Sequence, residues 1–256
     1  MTETIEEKIE RFKDYNRTLI AAAISKKNRR YQGLPAKLLL CSIFDSLSIA
    51  AFPNEDKVGK RYKQTIADHT EWTDHDRVSL LQLNGVMKRI DNISSNFEEL
   101  KNWVSVETSK KFPSTTRMLS PNIGLNNDPF LSEVLAHWPM KADGNPEKLG
   151  KLWPEDLTHR GLFWKYRNKL AHEFRLPGKG SQSPFRWEHE PYYQEMSTIT
   201  DVDPVNGLIF DNHWELIYPT GFFLNIVKES LDSIYLKYMH EKTSPFLLYD
   251  ESDLWL

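Results

Sequence analysis

Phe163-Trp164-Lys165-Tyr166-Arg167-Asn168-Lys169-Leu170-Ala171-His172-Glu173-Phe174-Arg175 carries two patterns at once. Phe163, Tyr166, Leu170 and Phe174 recur at helical spacing and predict a buried stripe. Asn168, His172 and Arg175 fall at i, i+4 and i+7 and so share a second, polar face. Arg167 stands beside that face, with a side chain long enough to swing toward His172. The stretch therefore predicts an amphipathic helix with a polar cluster on its outer side.

Working outward, that helix runs from Glu155 to Phe174 and stops at Pro177-Gly178-Lys179-Gly180-Ser181. Upstream, residues 3 to about 30 predict an amphipathic helix closing on the basic cluster Lys26-Lys27-Asn28-Arg29-Arg30. Leu34-Pro35 opens a second helix with Leu39, Ile43, Leu47 and Ala50 at helical spacing, and Pro53 stops it. Asn54 suits the N-cap of a third helix, carrying Val58, Tyr62 and Ile66. Thr73-Asp74-His75-Asp76 resembles a capping box, from which one long helix is expected to about residue 108. Prolines from Pro113 to Pro154 break residues 112 to 154 into short pieces, of which Pro129 to Trp138 reads as helical. Downstream, Phe185 to Met196 reads as strand-like. Leu208-Ile209-Phe210, a turn at Asp211-Asn212, and Trp214 to Tyr218 predict a β-hairpin. A final helix carries Phe223, Val227, Ile234 and Tyr238. The fold class expected is all-α, a single domain over residues 1–256. Its helical bundle (core helices about 3–108 and 155–241) carries a loop-rich insertion at about 112–154 and a small β-hairpin appendage at about 185–218.

Composition narrows the chemistry. The chain has 256 residues, 39% hydrophobic and 27% charged, which suits a packed domain. The net charge of −3 supplies no global basic field, so nucleic-acid binding must come from a local patch or from assembly. The one cysteine, Cys41, excludes an internal disulfide and a thiolate zinc cluster. The acidic, polar start at Met1 to Glu10 is unlike a targeting signal. The longest apolar run, Leu34 to Phe52, is interrupted by Lys37, Asp45 and serines, so no membrane span is expected. A cytoplasmic protein is the corresponding expectation.

The polar face of the first-quoted helix offers one imidazole, one amide and two guanidinium groups. That set suits RNA cleavage through the ribose 2′-hydroxyl: histidine can take or give a proton near neutrality. Arginine remains cationic, and its planar fork matches phosphate oxygens. Asn168 would hold the imidazole or a phosphate oxygen, and the scheme requires no metal and no cofactor. One helix supplies one histidine, whereas two proton-transfer groups serve the reaction better. A two-fold dimer with the two helices side by side would supply both.

Arg167-Asn168-x-x-x-His172 is similar to the Arg-x4–6-His motif of HEPN domains, in which the residue after the Arg is commonly Asn, Asp or His. The resemblance covers about residues 160 to 175. Of eight histidines, His172 alone has an Arg five to seven positions before it. HEPN domains are helical bundles, often dimeric, and many are ribonucleases in toxin–antitoxin, abortive-infection and CRISPR systems. The resemblance therefore implies a metal-independent endoribonuclease, a toxin or phage-defence effector. Arg167, His172 and Asn168 would be catalytic, and Arg175 and Lys179 would bind substrate. It also implies RNA, a second copy of the chain, and an antitoxin or regulatory protein as partners. In one subgroup a Tyr two residues after the His is modified by an antitoxin; Phe174 stands there in this chain.

Two other readings accompany this one: a HEPN-like module that binds RNA, nucleotide or protein without turnover, and an interaction scaffold using an aromatic hairpin. The group Asp68, His69, Glu71, Asp74, His75 and Asp76 has no standard zinc spacing and reads as a helix–turn–helix junction. Gly178-Lys179-Gly180-Ser181 lacks the pattern of a phosphate loop and reads as a basic loop beside the motif.

Overall fold

The structure, a computed structural model, describes residues 3–25, 33–113, 122–176, 188–203 and 207–246. Lys179, the cluster Lys26 to Arg30, and Phe185 to Trp187 lie outside the described residues.

α1 (Ile5–Ala23) opens with a capping box between Thr4 and Glu7, and it ends well before residue 30. α2 (Gly33–Ala51) is the central helix, packed against α1, α3 (Val58–His69), α7 (His159–Glu173) and α8 (Thr220–Glu241). Leu40, Phe44, Leu47 and Ala51 are buried there among Phe12, Tyr62, Ile66, Phe163, Leu170, Phe223, Val227 and Ile234. By length and composition α2 could cross a membrane, contrary to the sequence expectation. Eleven of its 19 residues are buried within the fold, as suits a core helix. Leu39, expected in the core, points outward and is half exposed.

α4 (Leu80–Arg89), α5 (Glu98–Lys111) and α6 (Leu131–Leu135) build a second core with Trp138, Leu149 and Leu157. The single long helix expected over this region is broken. α4 ends at Arg89, and Asn92 adopts the left-handed conformation (φ 58°), which asparagine tolerates. The Ser94 hydroxyl then accepts from the Asn96 N–H and starts a 3-10 turn into α5. The break lets Phe97 and Leu100 fold onto Val86 and Met87, burying apolar area that one straight rod would leave wet. Thr73–Asp76 is a 3-10 turn, and Ser79 caps α4 instead, its hydroxyl accepting from the Gln82 N–H at 3.2 Å. Asn54 caps nothing; α3 begins at Val58. In the insertion Trp138 is buried, as its size requires, and its indole N–H donates to the Glu147 carbonyl at 2.7 Å. Phe130 stays 42% exposed. Arg77, 3.8 Å from its ring centroid, covers part of that face.

The hairpin belongs to a three-stranded antiparallel sheet, in which β1 (Ile123–Gly124) pairs with β2 (Tyr192–Asp203) and β2 with β3 (Gly207–Ile217). The turn expected at Asp211-Asn212 is instead mid-strand: Asp211 pairs with Thr198 and Asn212 with Ser197. The Ser197 hydroxyl donates to Asn212 Oδ1 at 2.6 Å, so the polar residues that suggested a turn serve as a cross-strand contact. The inner end, with Tyr192, Tyr193 and Ile217, is buried against the bundle, and Ile199, Leu208, Ile209 and Phe210 at the far end are exposed.

Candidate functional site

α7 starts on Thr158, whose hydroxyl accepts from the Gly161 N–H at 3.2 Å. Gly161 is required by close approach: a Cβ there would lie 2.4 Å from the Glu155 carbonyl oxygen. With the start fixed, Phe163, Tyr166 and Leu170 fall on the buried side, as the spacing predicts. Phe174 does not join them. It is the C-cap, in the left-handed conformation (φ 51°), and is 69% exposed, while Leu176 is the residue that returns to the core.

Arg167 leaves the buried stripe toward α2. Its Nε donates to Asp45 Oδ2 at 2.8 Å, and a second, shorter contact joins Nη2 to the same oxygen. Nη1 donates to Asn168 Oδ1 at 3.1 Å, and the Trp164 ring centroid lies 5.2 Å from the guanidinium. Arg167 thus swings to Asp45, and Asn168 engages Arg167. His172, one turn after Asn168, is exposed at the end of α7. Arg175 is also exposed, its Nε donating to Glu173 at 2.6 Å, and Lys169 pairs with the same carboxylate.

Asp45 is the member that periodicity did not supply. Burial raises its carboxyl above the usual carboxylate range. The Arg167 hydrogen bond and charge oppose this, followed by the charges of Arg61 and His172. One carboxylate therefore lies within the field of both motif residues. Its Oδ1 is buried without a hydrogen-bond partner among the described residues. A signal for it did exist: Lys37 and Asp45 are the only charges in the most apolar run of the chain, and each reaches α7. A buried charge demands a partner, so each marked a contact. Lys37 Nζ donates to the Tyr166 hydroxyl at 3.2 Å.

A second polar constellation was not legible at all. Asp128, His159, Tyr193 and Ser79 are each 1% exposed or less. His159 Nε2 lies 2.9 Å from Asp128 Oδ2, and the Tyr193 hydroxyl donates to that oxygen at 2.6 Å and also reaches Ser79 Oγ at 2.7 Å. The Leu80 N–H donates to Asp128 Oδ1 at 3.0 Å, and Arg77 donates to the Asp128 carbonyl at 2.7 Å. Burial, then the charge and hydrogen bond of Asp128, push the Tyr193 phenol well above its ordinary range. This cluster joins the insertion, α4, α7 and the sheet, and it is sealed from any substrate. The acidic junction at residues 68–76 resolves into local pairs, Arg77 with Asp74 at 2.6 Å and Arg160 with Asp76 at 2.8 Å. Among the described residues no group of three or more His, Cys, Asp or Glu side chains converges to hold a metal ion.

No protein-family model, curated protein or solved structure matches the chain.

Proposed function

We propose that the chain is a HEPN-type endoribonuclease that cleaves RNA without a metal, by attack of the ribose 2′-hydroxyl on the adjoining phosphorus. His172 takes the 2′-OH proton. The new O2′–P bond forms as the P–O5′ bond breaks, and a second proton-transfer group, His172 of a second copy, protonates the leaving oxygen. The products are a 2′,3′-cyclic phosphate and a 5′-hydroxyl. Arg167 stabilises charge on the phosphoryl oxygens, Asn168 fixes its guanidinium, and Arg175 and Lys179 hold the RNA backbone. Toxin or phage-defence activity, with an antitoxin or regulator as partner, is the corresponding biological reading.

The observation that carries this reading is that one helix, α7, holds the Arg167 guanidinium on Asp45 and exposes His172 in its last turn. The guanidinium is held on that carboxylate, the His172 charge is felt by it, and the imidazole is exposed. A fixed cation and an accessible proton-transfer group on one helix are what phosphodiester cleavage needs. Exposure of His172 also leaves room for two copies of α7 to meet. The test is incubation of the purified protein with RNA, with and without chelator. Chelator-resistant products bearing cyclic phosphate ends, lost in His172→Ala, are expected. A protein that leaves RNA intact under both conditions overturns the reading.

A second reading, a module that binds RNA, nucleotide or protein without turnover, draws on one specific observation: the Arg167 guanidinium already commits three of its five N–H groups to Asp45 and Asn168. It predicts retention of RNA in a gel shift, reduced by Arg175→Ala, with no product.

A further inference from the structure

A cleft of about 430 Å³ opens between α2, α4, α7 and β3, on the other flank of α7 from Asp45. Its volume falls in the range of small-molecule sites, roughly 300–1,000 Å³. Lys37 stands among its lining residues and is 4% exposed. Its ammonium has three N–H groups, and the Tyr166 hydroxyl is its one hydrogen-bond partner among the described residues. No carboxylate among the described residues forms an ion pair with it. Glu215, which also lines the cleft, is engaged by His213 Nε2 at 3.2 Å. Burial accordingly pulls the Lys37 amine down to about 8.

The rest of the lining gives the missing partner a shape. Arg89, exposed at the end of α4, makes no hydrogen bond or ion pair among the described residues. Trp214, Leu162 and Leu176 supply apolar lining, and the Gln82 amide adds a neutral polar group. A buried cation lacking an anion, a second free cation and an indole around one cavity define a complementary ligand. We propose that this cleft binds a small organic anion with an aromatic body, its acid group against Lys37 and Arg89 and its ring against Trp214. Carboxylate and phosphate share the chemistry that the two cations recognise. The inference does not rest on RNA cleavage, since none of these residues belongs to the Arg167–His172 cluster.

Calorimetric titration of the full chain with indole-3-acetate and with adenosine monophosphate, each against its neutral counterpart, indole and adenosine, tests it. At least one acid is expected to bind roughly tenfold or more tightly than its counterpart; which one does tells carboxylate from phosphate. Lys37→Met is expected to weaken that binding roughly 10- to 100-fold, and Arg89→Ala, on an exposed residue, by about tenfold. Lys37→Gln and circular dichroism separate loss of the ammonium from loss of the fold. His172→Ala is expected to bind as wild type does. Failure of both acids to bind, equal binding of the neutral compounds, or unchanged affinity in folded Lys37→Met and Arg89→Ala proteins overturns the proposal.

Discussion

Two constellations in this protein are built on a single carboxylate each. Asp128 is sealed: an imidazole, a phenol and a backbone N–H converge on its two oxygens, none of them in contact with water. Asp45 lies at the edge of the bundle, holding one guanidinium, with an exposed histidine within its field. The chemical groups are similar and their surroundings are not. A buried, nearly satisfied network fixes how four elements pack, because every alternative arrangement leaves a polar group stranded. A cluster with one open side gives up part of that rigidity and keeps a titratable group accessible. Residue types alone do not separate the two; exposure and the direction of approach do.

The contrast is easiest to break at its sealed end. Asp128→Ala would strand the His159 ring and the Leu80 N–H together and leave the Tyr193 hydroxyl only Ser79 as a partner, and a loss of about 3–5 kcal/mol is expected in urea unfolding. A loss below about 1 kcal/mol would mean that the cluster does not specify the packing.

Lys37 gives the next largest effect, in the opposite direction. Folded Lys37 titrates at about 8 and the unfolded chain at 10.5, so the unfolded state binds more protons between those values. Stability therefore rises with pH across that window, and the cost of the buried charge is fully present below it. Lys37→Met is expected to stabilise the fold by roughly 3 kcal/mol at pH 7, with the advantage shrinking as pH rises from 8 toward 10.5. Unfolding curves at several pH values check this, and a destabilised Lys37→Met protein would contradict it.

A smaller effect separates the open cluster from the sealed one. A double-mutant cycle on Asp45→Ala and Arg167→Ala is expected to give a coupling of about 1–2 kcal/mol, since the pair is only partly withdrawn from water. A value near zero would make the ion pair incidental to the position of Arg167. The smallest stability effect is expected for exposed His172: His172→Ala should stay within about 0.5 kcal/mol of wild type.

Much of the bundle was legible because its helices are amphipathic at long range: Phe163, Tyr166 and Leu170 faced the core as their spacing required. Asn92 broke a helix that side-chain periodicity alone carried straight through, because a left-handed residue leaves the apolar repeat on either side intact. Asp211 and Asn212 mimicked a turn, since the same short polar side chains also suit a cross-strand pair on an exposed sheet. At the candidate site the residues of one helix were readable, and the contacts between elements were not. Arg167 found Asp45 across 122 positions of sequence. Asp128 and His159 lie 31 positions apart and Asp128 and Tyr193 lie 65 apart, with no local pattern linking them.

The central claim is that an exposed imidazole on the same helix as a carboxylate-held guanidinium makes α7 a phosphodiester-cleaving helix. It is tested most directly by comparing wild type, His172→Ala and Asp128→Asn on one RNA in the presence of chelator. The account predicts cleavage by wild type, none by an equally stable His172→Ala protein, and cleavage by whatever fraction of Asp128→Asn remains folded. Intact RNA with wild type, or equal cutting by His172→Ala, would contradict it.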